Sequence, residues 1–328
     1  MSRITENPFY HTAAPKRPLI RKLGTVMCDM VETTPVVFHD RLYRFEYFRP
    51  GAQNEANPTD ESHFRFRDVY TNALSAPFGQ DHHLGSAFAD GEFMYAIGVR
   101  DCWAGDTLTV FRSTDLETWE EFPVRFPGLK CFNTGVCKKD GKYILLIETD
   151  SFVPFTFRFA ESTDMIRWTL LPDEFAFQKD RYAGGPAIYT FPDDPYIYVL
   201  YLEAYPTEKY ANCIARSLDL KEWEYSPLNP VLMYSDGDKQ IANPFLTPRE
   251  RERIARAVNV NNSDMELCEF LGRTIIYYSW GNQHGIEFLA EAAYEGPAGE
   301  LLRSFLSKTR FFEPDCFREK VWSLQSEE

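Results

Sequence analysis

An all-β fold, a five-bladed β-propeller with short helical insertions, is what the sequence predicts, and three observations predict it. A seven-residue unit, Ser113-Thr114-Asp115-Leu116-Glu117-Thr118-Trp119, recurs as Ser162-Thr163-Asp164-Met165-Ile166-Arg167-Trp168 and as Ser217-Leu218-Asp219-Leu220-Lys221-Glu222-Trp223, its tryptophans 49 and then 55 residues apart. Between these copies lie paired apolar runs joined by short polar turns, and five such pairs can be read. The composition agrees, because 16% aromatic residues alongside 21 Pro and 18 Gly favour many short strands separated by turns. A period of roughly 40 to 50 residues is that of propeller blades.

The elements follow in order. Lys22 to Met30 is expected to give the outer strand of the last blade, closing the ring and removing an exposed edge. The hairpins are Thr34 to Phe38 with Leu42 to Tyr47, Ser86 to Ala89 with Phe93 to Val99, Thr134 to Cys137 with Tyr143 to Ile147, Ala187 to Thr190 with Tyr196 to Leu202, and Met265 to Phe270 with Thr274 to Trp280. Turns such as His39-Asp40, Asp90-Gly91 and Leu271-Gly272 are hairpin chemistry. In the seven-residue unit, Ser-x-Asp offers side-chain acceptors that close a turn, and the Trp packs the outer strand onto its neighbour. Thr247-Pro248-Arg249-Glu250 has the cap spacing of a helix start, and Gly299 to Leu306 reads as a terminal helix. The organisation expected is an extension over 1–24, a catalytic propeller over 25–296 and a helix and tail over 297–328.

A net charge of −14, a pI near 5.0 and the lack of a basic block argue against nucleic acid and anionic membranes as partners. No apolar run approaches the roughly 18 residues of a membrane span, and no secretory leader is visible, so a cytoplasmic location is expected. Seven cysteines are scattered and never paired as CxxC, which indicates neither a disulfide framework nor a metal site. No cofactor is implied, and a homo-oligomer is left open.

In a propeller, starts of first strands and ends of second strands converge at one channel mouth. The second-strand ends supply Glu46, Arg100, Glu148, Glu203 and Trp280; the first-strand starts supply Glu32, Asp81-His82-His83, Asn133, Gly184-Gly185-Pro186 and Asn261-Asn262-Ser263-Asp264, with His284 and Glu287 in and after the last-blade loop. Acids and amides bind hydroxyls and an indole stacks on a sugar ring, so the set suits a neutral carbohydrate. Paired carboxyl groups are what glycoside hydrolysis needs, one protonated to assist the leaving oxygen and one ionised to activate water or attack carbon. Glu32, Glu148, Glu203 and Asp264 are the catalytic candidates; Glu46, His83, Arg100, Trp280, His284 and Glu287 are the substrate-binding ones.

These repeats resemble the five-bladed propeller glycoside hydrolases: family 43 arabinofuranosidases and xylosidases, family 32 fructofuranosidases, family 130 mannoside phosphorylases and family 117 anhydro-galactosidases. The likeness covers about residues 25 to 296, and Asn262-Ser263-Asp264-Met265-Glu266 through Tyr278-Ser279-Trp280-Gly281-Asn282-Gln283 is most similar to families 43 and 117. It implies a hydrolase that releases a terminal furanoside, pentoside or anhydro-galactoside with inversion. Glu32 or Asp264 would then be the base, Glu203 the acid and Glu148 the partner that sets its pKa. A phosphorylase or a non-catalytic sugar-binding propeller are the alternatives. The sequence departs from family 43 at two places: Pro35 follows Thr34 rather than Asp, and Gly184-Gly185-Pro186 stands for Glu-Gly-Pro.

Overall fold

The structure is a computed structural model that describes residues 17–49, 62–100, 105–150, 152, 155–205, 209–282 and 285–306. Among the described residues, nineteen strands are grouped in five antiparallel sheets. The first strand, β1 (Arg21–Cys28), belongs to the last sheet. Blade 1 holds β2 (Thr33–Phe38), β3 (Arg41–Phe48) and β4 (His63–Asp68). Blade 2 holds β5 (His83–Asp90), β6 (Phe93–Val99), β7 (Thr107–Ser113) and β8 (Glu120–Arg125). Blade 3 holds β9 (Thr134–Lys139), β10 (Lys142–Thr149), β11 (Thr156–Ser162) and β12 (Thr169–Leu170). Blade 4 holds β13 (Gly184–Tyr189), β14 (Ile197–Tyr205), β15 (Lys209–Ser217) and β16 (Trp223–Tyr225). Blade 5 holds β17 (Asn261–Phe270), β18 (Arg273–Gly281) and β19 (Glu287–Tyr294), with β1 hydrogen-bonded antiparallel to β19. The inner strands β2, β5, β9, β13 and β17 touch one another in turn and back to β2, so the ring is closed.

The seven-residue units turn as their chemistry requires. Ser113 Oγ accepts from the backbone N–H of Asp115 and Leu116 at 3.1 and 2.9 Å, and Asp115 Oδ1 accepts from Glu117 and Thr118 at 2.9 and 2.8 Å. Leu116, Met165 and Leu220 each sit in the left-handed region, with φ of 65°, 64° and 65°. Ring packing follows: Trp119 stacks on Phe78 at 3.9 Å, and Trp223 on Phe159 at 5.9 Å. Helix α1 (Pro248–Arg256) begins with a reciprocal Thr247/Glu250 capping box, and α2 (Ala298–Ser304) buries Leu301 and Leu302 in the core of blades 4 and 5. No helix among the described residues is long and apolar enough to cross a membrane.

Candidate active site

Strand register decides which side chains meet at the channel mouth. The cross-strand pairs Thr34/Phe45, Ser86/Ile97, Gly135/Leu146, Ala187/Leu200 and Glu266/Tyr277 are equivalent in the five blades. In four of them the inner-strand residue meets the next blade: Thr34 Oγ1 accepts from Ala87 N at 3.3 Å, the Ser86 and Thr134 hydroxyls are 2.9 Å apart, Gly135 backs onto Ile188, and Glu266 lies beside the Thr34 hydroxyl. Two residues earlier, at the start of each inner strand, stand Glu32, Leu84, Asn133, Gly185 and Asp264. Four of them are left-handed, with φ of 54° for Glu32, 50° for Leu84, 53° for Gly185 and 50° for Asp264, and in β5, β13 and β17 the register slips at this point. Non-glycine residues in this region cost about 1–3 kcal/mol each and collect at functional sites.

On the second strands, two residues beyond the paired position, the equivalent residues are Tyr47, Val99, Glu148, Leu202 and Ser279. The acids that converge are therefore Glu32 of blade 1, Glu148 of blade 3 and Asp264 of blade 5. Asn133 joins two of them, its Nδ2 donating to Glu148 Oε2 at 3.0 Å and to Glu32 Oε1 at 3.4 Å. A shared donor holds those two oxygens within about 6.5 Å of each other. Gly185 lies between the other two: its N–H donates to Glu148 Oε2 at 3.2 Å, while a Cβ there would meet Asp264 Oδ1 at 2.5 Å. Across one glycine the Glu148 and Asp264 carboxyls are within about 8 Å. A Cβ on Gly184 would fall 3.2 Å from Glu148 Oε1 and 2.5 Å from the Tyr182 hydroxyl. The space a Gly184 side chain would occupy is thus filled first by the Tyr182 hydroxyl, with the Glu148 carboxyl of the neighbouring blade beside it.

Burial governs the electrostatics. It raises Glu32 to about 8, reinforced by Asp264, Glu287 and Glu148 and opposed by Arg49. It raises Glu148 to about 7, against the hydrogen bonds from Asn133 and Gly185. Asp264 is raised too, but the Ser263 hydroxyl, which donates to Oδ2 at 2.7 Å, Ser279 and the Arg49 charge all favour its anion. Glu287 is raised by burial and lies 3.9 Å from Arg49. The Arg49 guanidinium packs 5.4 Å from the Tyr47 ring, whose hydroxyl lies 2.9 Å from His83 Nδ1. His83 and Glu287 thus border the acids through Arg49 and Tyr47. Burial also holds the Tyr182 hydroxyl well above its ordinary value, with Glu148, Asp264 and Glu32 adding to it.

Other expected residues lie elsewhere. Glu46 sits one residue short of the equivalent of Glu148 and Glu203 one residue beyond, and a shift of one turns a strand side chain to the opposite face. Glu46 is enclosed by Arg44, Arg65 and Arg67 at 2.6, 2.7 and 2.6 Å, which hold it down to about 2 despite its burial. Glu203 pairs with Arg181 at 2.7 Å. Trp280, expected to stack on a sugar, is 1% exposed; its ring stacks on Phe288 at 4.4 Å and its Nε1 donates to Thr25 Oγ1 at 2.9 Å. An indole so enclosed has no face left for a ligand. Arg100 is exposed, and its backbone N–H bonds Thr107. His284 lies outside the described residues.

Sequence reasoning missed Tyr182 and Glu266. Tyr182 precedes its inner strand in a segment without periodicity. Glu266 carries a signal in hindsight, because it is an acid where blades 1 and 2 have the hydroxyls of Thr34 and Ser86.

No protein-family model matches this chain, and no curated protein matches it. Solved structures do. A thermostable family-43 glycoside hydrolase is similar with a TM-score of 0.58 and 11% identity, covering 90% of this chain and 98% of that one. The catalytic domain of a GH62 α-L-arabinofuranosidase from Coprinopsis cinerea has a TM-score of 0.57 at 9% identity, covering 84% and 95%. The GH43_1 enzyme from Xanthomonas citri, complexed with xylose, has 0.52 at 14%, covering 84% and 90%. With a closed ring of five blades and these neighbours, the chain has the five-bladed β-propeller fold found in glycoside hydrolases.

Proposed function

We propose that this protein is a glycosidase whose catalytic carboxyls are Glu148 and Asp264, with Glu32 as a third acid of the same set. The observation that carries the reading is the convergence of three acids from three blades on Asn133 and Gly185, in a buried site. Glu148, raised to about 7, can hold the proton that a leaving oxygen needs at neutral pH. Asp264, with a hydroxyl donor at 2.7 Å and Arg49 in its field, is the better holder of negative charge and so the better base. Glycosidic carboxyls stand about 5–5.5 Å apart when configuration is retained and about 6.5–9.5 Å when it is inverted. The limit of about 8 Å across Gly185 admits the wider arrangement, and inversion is the outcome proposed. A terminal furanoside, pentoside or anhydro-galactoside is the substrate class proposed.

An aryl-glycoside panel spanning furanosides and pyranosides tests this, with the anomer of the product followed on whichever is cleaved. Glu148→Gln and Asp264→Asn are each expected to lower kcat by about 10²–10⁴. Full activity in both variants on every glycoside that wild type cleaves overturns the assignment.

A further inference from the structure

One step along the inner strands from the proposed catalytic acids, a second space opens. A cavity of about 590 Å³ runs along the inner strands from the level of Glu266 to the far face of the propeller. Thr34 and Ser86 line its inner end, and Asp90, Lys138, Thr190 and Glu269 line its other end. Lys138 and Asp90 form an ion pair at 2.6 Å with side chains 40% and 31% exposed, so that end meets solvent. Glu266 lines the end of the cavity nearest the acids: it is the next carboxyl along β17 from Asp264, and the charge of Glu32, at the start of β2, acts on it. The Tyr189 hydroxyl of β13, which accepts from Leu267 N at 2.9 Å, is the remaining titratable group facing it from a neighbouring strand. The reaction described above makes no use of Glu266.

We propose that Glu266 is a positioning residue that exchanges protons between the Asp264/Glu32 pair and solvent at the far face of the propeller, through the channel. The proposal rests on the glycosidase reading. When a sugar occupies the front of the site, Asp264 gains a proton from the attacking water while Glu148 gives one to the leaving oxygen. The proton on Asp264 then passes by way of Glu266 to channel water and out at the Lys138/Asp90 end, and Glu148 regains one from solvent once the front clears. No proton is gained or lost over the cycle. Burial raises Glu266 to about 8, with Asp264 and Glu32 adding to the effect and the Thr34 hydroxyl opposing it, so the group holds an exchangeable proton near neutrality.

The first experiment does not depend on finding a substrate. Infrared spectra of wild type and Glu266→Gln near neutral pH are expected to differ by one protonated-carboxyl band, which shifts within the mixing time on transfer to D₂O. Two results overturn the proposal: no such band is lost in Glu266→Gln, or the band is lost but in wild type exchanges as slowly as the β17 amides. Given an aryl glycoside that wild type cleaves, Glu266→Gln is expected to lower kcat by about tenfold with KM unchanged, and Glu266→Asp to restore most of it. Unchanged kcat in Glu266→Gln also overturns the proposal. If wild type cleaves no glycoside while the infrared result holds, the glycosidase reading has failed and the proton path has not.

Discussion

Two groups of buried carboxyls in this molecule have been driven in opposite directions. Glu46, on blade 1, is gripped by three arginines and held at about 2. Glu32 and Glu148, at the channel mouth, meet one amide, one backbone N–H and, at Glu32, the charge of a single Arg49 against those of other acids, and rise to about 8 and about 7. Desolvation is the largest influence in both groups, so burial alone does not decide the outcome; the supply of nearby cations does. One group is held ionised within the fold, and the other keeps its protons to higher pH.

The comparison can be broken from either side. The largest stability loss is expected from Glu46→Gln, which leaves Arg44, Arg65 and Arg67 without their shared carboxylate. About 3–5 kcal/mol should be lost, read as a lower urea midpoint, while activity per folded molecule is kept. A loss under about 1 kcal/mol would place the arginine cluster among the weak surface pairs. Next comes Gly185→Ala, which puts a Cβ 2.5 Å from Asp264 Oδ1 on a residue at φ 53°. About 1–3 kcal/mol of strain is expected, together with a loss of activity that no other glycine-to-alanine change in an open turn, such as Gly91, should match.

The pH dependence separates the groups without a substrate. Glu32 and Glu148 titrate higher in the folded protein than their ordinary value of 4.5, so between these limits the folded state binds more protons than the unfolded one. Their contribution is full below about 4.5 and is lost as pH rises through about 7 and about 8. Glu46 has the reverse sign: its contribution is full above 4.5 and is lost as pH falls through about 2. Urea midpoints across pH should show Glu148→Gln flattening the alkaline slope and leaving the acid limb untouched. The smallest effect is Trp280→Phe, which removes one buried hydrogen bond to Thr25 and should cost about 1 kcal/mol with no change in KM. A raised KM would return the indole to the substrate.

The fold was legible because its signals are local. Each Ser-x-Asp unit closes its own turn with its own side chains, so three copies could be recognised without knowing what lay beside them. The candidate site was legible only where convergence of strand ends suffices, as at Glu32, Glu148 and Asp264. In the sequence Glu46 and Glu203 look like Glu148, since each is an acid closing an apolar run. What separates them is a one-residue offset in register that no periodicity reveals: Glu148 lies two residues beyond the paired Leu146, whereas Glu46 lies one beyond Phe45 and Glu203 three beyond Leu200. The partners that claim Glu46 and Glu203 come from other strands or loops, Arg65 and Arg67 from β4 and Arg181 from the approach to β13, so pairing was hidden until the sheets were assembled. Trp280 failed for the same reason, one residue past Ser279 and therefore on the other face.

Ring closure has a consequence for when the site can exist. Among the described residues β1 is the first strand in sequence and β19, its partner, the last, so their pairing joins segments far apart in sequence and carries a large loop-closure cost. Glu32 follows β1 directly and Asp264 lies on β17, so the two acids stand on opposite sides of that seam. A nascent chain through blade 4 contains Glu32, Glu148 and Asn133 but no closed ring to bring them to Asp264. The three acids are thus brought together only when the ring closes across β1 and β19.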